Sequence, residues 1–429
     1  MPRLAPPTRG VLFTLLGLGL AALPGLVPEA PAGDWKGVES KEDGILLVQN
    51  PAEPMNGTLK VDLSELWKIG GYSDDPDEFF GVISRIITDE EGNVYLLDSQ
   101  LSEIKIFSPD GEFLNTIGRE GEGPGEFRRP SDAFFVPDGN IGVLQPFPSK
   151  IVLLTRDGEP AGEYPLGATE GFRILQRAMP GKDRLYLHDF VQVLAENRAD
   201  LNFRLTAVDG KGEVIQEYLK ETRVFEMANP VIDETKYDTF DRRWLAGPEG
   251  RLFAGTTHAE YRIQVWNPDG TVDRIITREF TPRERSAKEK EVVHGVYEAF
   301  TRQAPGAQLK INDHDPNLMN LYVRDDGSLW VMTSRGLYDN PEGSIGVFDV
   351  FDRRGRYVSE VTLMGDGDPE NDGYFFVGDR IYVVTDFLQA AMALQGGGTD
   401  ATLGEKEAEP MAVVCFRLDV PDFGSPSEE

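Results

Sequence analysis

Residues 69–98 read IGGYSDDPDEFFGVISRIITDEEGNVYLLD, and residues 117–145 read IGREGEGPGEFRRPSDAFFVPDGNIGVLQ. Both run through an Ile-Gly pair, a polar turn ending in phenylalanine, an apolar run, a turn containing Gly-Asn and a short strand-like run. Ile69 to Ile117 is 48 positions and Val94 to Ile141 is 47. A fixed period of this size marks a repeated supersecondary unit. The unit reads as four short strands: a (Ile83 to Thr88), b (Val94 to Asp98), c (Ile104 to Phe107) and d (Phe113 to Ile117). Pro109-Asp110-Gly111 between c and d supplies the positive-φ position that a tight hairpin needs.

The same grammar recurs with looser spacing. Strand b begins at Val94, Ile141, Leu185, Leu252, Leu329 and Ile381, which gives six units. A lone four-stranded sheet with two apolar faces is unstable, and units of this kind stack on their neighbours. Radial closure satisfies every face and leaves only short edges. The sixth unit stops after strand c (Met411 to Leu418), whereas Leu59 to Ile69, which alternates over its first half, reads as a strand d that has no sheet. The expected fold is therefore an all-β, six-bladed β-propeller over residues 59–420, with the N-terminal strand completing the last blade. A polar segment (33–58) precedes it and a tail (421–429) follows.

Two insertions interrupt the spacing, Lys220 to Trp244 and Phe280 to Asp315. The second predicts a helix over 281–303, opened by Thr281-Pro282-Arg283-Glu284 as a capping box. Val292, Val293, Val296, Tyr297 and Phe300 fall on one face of it.

Gly121 to Pro130 (Gly-x-Gly-Pro-Gly-Glu-Phe-x-x-Pro), followed by Asp-Gly-Asn-Ile and a hairpin, resembles the NHL-type repeat. The whole layout is similar to the exported six-bladed propellers of bacteria, many of which have no assigned activity. The resemblance implies a fold and leaves the chemistry open.

The first residues carry Arg3 and Arg9, an apolar run from Val11 to Val27 broken by glycines and Pro24, and Ala30-Pro31-Ala32. This is the layout of a secretory signal, with cleavage expected near Ala32 (signal peptide 1–32) and a periplasmic or secreted destination. A membrane anchor is the alternative, disfavoured because the run is short and interrupted. Cys415 is the only cysteine, so no intrachain disulfide can form, and its apolar setting reads as core. The formal charge of −30 repels phosphate backbones and anionic lipid, which argues against nucleic acid and membrane surfaces as partners. The expected partner is a small-molecule, peptide or protein ligand bound by a monomer.

Propeller topology puts the b–c and d–a connections on one face, where loops on a rigid scaffold converge on the channel. Strand b ends at Asp98, Gln145, Asp189, Thr256, Thr333 and Thr385, residues that also suit the capping of strand ends. The ligand-binding candidates on this face are Asp98, Arg119, Arg128, Arg129, Asp189, Trp244 and Arg335. Three of the four histidines, His188, His258 and His314, also fall there. Three imidazoles and a water are a catalytic zinc arrangement, so a metal-dependent lyase or hydrolase is the alternative to a binding module without a cofactor. The acidic runs Asp74 to Glu78, Asp313 to Asp315 and Asp366 to Asp372 offer oxygen ligands for calcium, without the spacing of a calcium loop. No nucleophile elbow, zinc-helix motif or phosphate loop is present.

Overall fold

The computed structural model describes residues 33–301, 306–394 and 409–424. The expected signal peptide, the last two residues of the expected helix and residues 425–429 of the tail lie outside these. Six four-stranded antiparallel units follow one another, with strand a lining the channel and strand d at the rim. Blade one comprises Ile83–Thr88, Val94–Asp98, Glu103–Phe107 and Phe113–Ile117. Blade two runs from Asp132–Phe135 to Pro160–Tyr164 and blade three from Phe172–Pro180 to Val214–Glu226. Blade four runs from Trp244–Ala246 to Val272–Arg278 and blade five from Leu318–Val323 to Tyr357–Met364. Blade six takes Gly373–Val377, Arg380–Val384 and Ala412–Arg417 from the end of the chain and Ser64–Gly70 from its beginning.

The core lies in the six wedges between neighbouring blades. Leu97, Ile104, Val143 and Val152 fill the first, and Trp330, Phe348, Val383 and Phe416 fill the wedge between blades five and six. A sixth cluster joins Tyr382, Val384 and Val413 of blade six to Ile83, Leu96 and Phe107 of blade one, so the ring is closed. Each fully buried aliphatic or aromatic side chain contributes about 1.5–3 kcal/mol, and these wedges hold the blades together.

The N-terminal stretch does complete blade six, with Ile69 opposite Val413 and Trp67 opposite Cys415. The closing strand is shorter than Leu59 to Ile69, because the chain bends at Leu63, whose N–H donates to Met364 O. Thr58–Asp62 instead runs parallel to Tyr357–Met364 as a fifth strand on blade five. The preceding segment, expected to be a polar lead-in, contains two further strands. Ile45–Asn50 runs parallel to the rim strand of blade four, and Val38–Glu42 pairs with it. The N-terminal segment thus covers the outer edges of blades four and five before completing blade six.

The helix of the second insertion is Ala287–Thr301, shorter than predicted. Its capping box is Ser286 with Glu289: Ser286 N–H donates to Glu289 Oε2 at 2.6 Å, and Glu289 N–H to Ser286 Oγ at 3.3 Å. Thr281 to Glu284 is not the cap, because Arg283 is drawn into ion pairs with Glu289, Asp315 and Asp339. The helix packs on a two-stranded parallel pair, Val231–Asp233 with Gln308–Lys310, which joins the two insertions. The first insertion is partly an extension of blade three, whose rim strand continues to Glu226. Among the described residues, no helix is long and apolar enough to cross a membrane.

Candidate functional site

Several residues expected to meet a ligand are committed to the scaffold. Asp98 is fully buried, and its carboxylate accepts the N–H groups of Gly81, Val82, Gln100 and Leu101 at 2.6–3.1 Å. It fixes the loop entering blade one and the turn leaving strand b. Asp189 is buried between Arg204 and Arg173, the latter at 3.1 Å. Trp244, predicted on the loop-rich face, is instead fully buried between blades three and four. It begins the inner strand of blade four, and its ring belongs to that wedge. Gln145 and Thr333 cap backbone N–H groups, those of Arg128 and Gly336.

The candidate arginines divide differently. Arg119 pairs with Glu126 and Arg128 with Glu122, in and just before the Gly121 to Pro130 loop, and both arginines are exposed. Arg335 donates to Thr281 O and pairs with Asp339, which pins the approach to the helix. Arg129 is exposed in a left-handed conformation (φ 44°), and its N–H donates to Ser102 Oγ.

The histidines do not gather at one point. His188 is fully buried, its ring against Phe240 and Trp244 and its Nδ1 2.9 Å from Asp241 Oδ1. His258 is buried with Nε2 3.4 Å from Glu234 Oε1. His314 is exposed and shares with His258 a cavity of about 80 Å³. Among the described residues, no three His, Cys, Asp or Glu side chains are grouped to hold a metal ion.

Other residues converge on the channel. Arg85, on the inner strand of blade one, has its Nε 3.1 Å from Asp132 Oδ1 of blade two. The other oxygen of Asp132 accepts Ala178 N–H of blade three. Arg177, on the inner strand of blade three, donates to Asp241 O and Trp244 O and lies 5.6 Å over the Trp244 ring. Burial, followed by the charge of Arg85, lowers its guanidinium to about 10. Arg242 is exposed, and its guanidinium lies 5.5 Å over Phe387. Burial raises the Tyr322 hydroxyl to about 12, opposed by the charges of Arg242 and Arg177. Arg177 donates to carbonyl oxygens and faces an aromatic ring, and Arg242 faces an aromatic ring. The three guanidinium groups outnumber the two carboxylates, Asp132 and Asp241, that act on Arg177.

Beside the channel, the two insertions meet in a buried ion network. Arg285 donates to both oxygens of Glu234 at 2.8 and 2.7 Å and to Asp315 at 2.6 Å. Burial pushes the Glu234 carboxyl up, but hydrogen bonds from His258, Arg285 and Asn312 N–H outweigh it and hold it at about 2.

The channel arginines were not singled out from the sequence, although a signal is present. Arg85 and Arg177 interrupt apolar inner strands at one register, opposite the residue before Asp98 and the residue before Asp189.

Residues 76–248 match a family, DUF5128, described as a 6-bladed beta-propeller. Solved structures similar to the chain include a member of the DUF4221 family from Bacteroides vulgatus. It is 12% identical with a TM-score of 0.46, over 83% of this chain and 97% of that one. Virginiamycin B lyase from Staphylococcus aureus is 11% identical with a TM-score of 0.39, over 82% and 99%. A calcium-binding protein, regucalcin, from Agrobacterium tumefaciens is 9% identical with a TM-score of 0.39, over 83% and 95%. No curated protein matches the chain. With six sheets closed around one channel and a match to a propeller family over blades one to three, the chain is a six-bladed β-propeller.

Proposed function

We propose that the chain is an exported ligand-binding propeller that captures an anion, carboxylate or phosphate, at the channel mouth on its loop-rich face. The observation that carries this reading is the convergence of Arg85 on blade one and Arg177 on blade three with Arg242 in the turn entering blade four. The whole chain has a formal charge of −30, so this local excess of positive charge runs against the global balance. Guanidinium groups present forked donors that match carboxylate and phosphate oxygens, and partial burial strengthens such pairs. A rigid ring supplies preorganisation, because the inner strands need not move to meet the ligand. Export rests on the basic, apolar and small-residue succession of residues 1–32, and an N-terminus near Gly33 in protein isolated from the cell envelope tests it.

Calorimetric titration with inorganic phosphate, succinate and citrate tests the binding reading. Wild-type protein should bind at least one of these anions, more weakly as salt rises, and Arg242→Gln should weaken that binding at least tenfold. Equal behaviour of the two proteins toward every anion overturns it.

A further inference from the structure

The cavity shared by His258 and His314 lies between the b–c loop of blade four and the connection into blade five. Its walls also include Asn317, Asn312, Asp315 and Pro282. His258 is 6% exposed and Asn317 4% exposed. His258 Nδ1 and Asn317 Oδ1 are buried atoms without a hydrogen-bond partner among the described residues.

The chemical character of both atoms follows from their other contacts. Asn317 Nδ2 donates to Ala259 O at 2.8 Å, which fixes the amide with its oxygen as the orphan. His258 Nε2 faces Glu234 Oε1, an oxygen that also accepts from Arg285 at 2.7 Å. An ionised carboxylate only accepts, so the ring proton belongs on Nε2 and Nδ1 presents its lone pair. Two residues lining one small cavity thus each carry a buried acceptor with no donor among the described residues, and an unsatisfied buried polar atom costs roughly 1–3 kcal/mol. A cation coordinated by both removes that cost.

We propose that this cavity is a site for a first-row divalent transition-metal ion, with His258 Nδ1 and Asn317 Oδ1 as ligands, His314 as the third and water completing the shell. Glu234 is then the carboxylate that orients a metal-binding imidazole through its other nitrogen, a recurring arrangement around bound metals. Nitrogen donors favour zinc, cobalt or nickel over calcium or magnesium. Arg285 holds Asp315 in the wall and Glu234 behind His258, so the ligands are positioned by the same network that joins the two insertions. The site differs from the three-histidine arrangement in using an amide oxygen and omitting His188.

Cobalt(II) titration of chelator-treated full-length protein, read by visible absorbance and by competition with zinc, tests the site. Wild-type protein should bind one equivalent, and His258→Ala and Asn317→Ala should each weaken binding at least tenfold. His314 is exposed, so His314→Ala keeps the fold and should weaken binding by a similar factor even where a core variant does not fold. Absence of one-equivalent binding, the outcome expected if only ordered water fills the cavity, overturns the proposal. Binding that is unchanged in His314→Ala and in every core variant that folds overturns it equally.

Discussion

A Cβ on Gly118 would lie 2.5 Å from Cζ of Phe127, because the buried phenylalanine ring covers the backbone where strand d of blade one ends. Gly70 and Phe80 repeat the relationship one blade earlier, at 2.7 Å. Both glycines have positive φ, 76° and 81°. This contact is the physical content of the repeated Ile-Gly and Phe. Gly118→Ala should therefore add left-handed backbone strain of about 1–2 kcal/mol to overpacking of about 1–3 kcal/mol. Urea unfolding should show a loss of about 3 kcal/mol in all. A loss below about 0.5 kcal/mol, within the range of an ordinary surface change, would mean the ring can move aside.

Asn50 ties the N-terminal segment to two blades. Its Nδ2 donates to Thr277 O of blade four and to Gly355 O of blade five, and its Oδ1 accepts from Tyr357 N–H at 2.7 Å. Asn50→Ala leaves these buried groups unpaired, at about 1–3 kcal/mol each before relaxation. A net loss of about 3 kcal/mol is expected in chemical denaturation, and a stability equal to wild type would show that the early strands merely lie on the rim.

Acid should act through Glu234. Its folded pKa of about 2 lies below the ordinary 4.5, so its contribution is present above pH 4.5 and is lost as pH falls toward 2. Circular dichroism from pH 7 to pH 2 should show the stability gap between wild type and Glu234→Gln narrowing below pH 4.5. A constant gap across that range would sever the carboxylate from the acid response.

Much of the ring was legible in the sequence, because a repeat and the period-2 pattern of each strand are local signals. The closing strand was readable for the same reason: a blade without strand d and a strand without a blade imply each other. No glycine or proline marks the bend at Leu63; its one signal is that alternation stops there, at Ser64-Glu65 and Leu66-Trp67, and a reading of the stretch as a single strand runs across that break. The cap at Ser286 was missed because Thr281-Pro282 offers the same chemistry five residues earlier, and only the ion pairs of Arg283 decide between them. The functional face was harder. His258 and His314 share a cavity, but His188 lies inside strand b of blade three, which runs on to Leu194, and side-chain direction sends it into a wedge and His258 toward Glu234. Arg85, Arg177 and Arg242 are far apart in sequence and meet only across the channel, a relationship that periodicity along the chain does not encode.

The claim that arginines from separate blades form one anion site is tested most directly by a double-mutant cycle. Affinity for whichever of phosphate, succinate or citrate binds wild type would be measured for wild type, Arg85→Gln, Arg242→Gln and the double variant. The account predicts weakening by each single change and a coupling above about 0.5 kcal/mol between them, as for groups sharing a bound partner. Affinities that the two changes leave unaltered, or alter with no coupling, would contradict it.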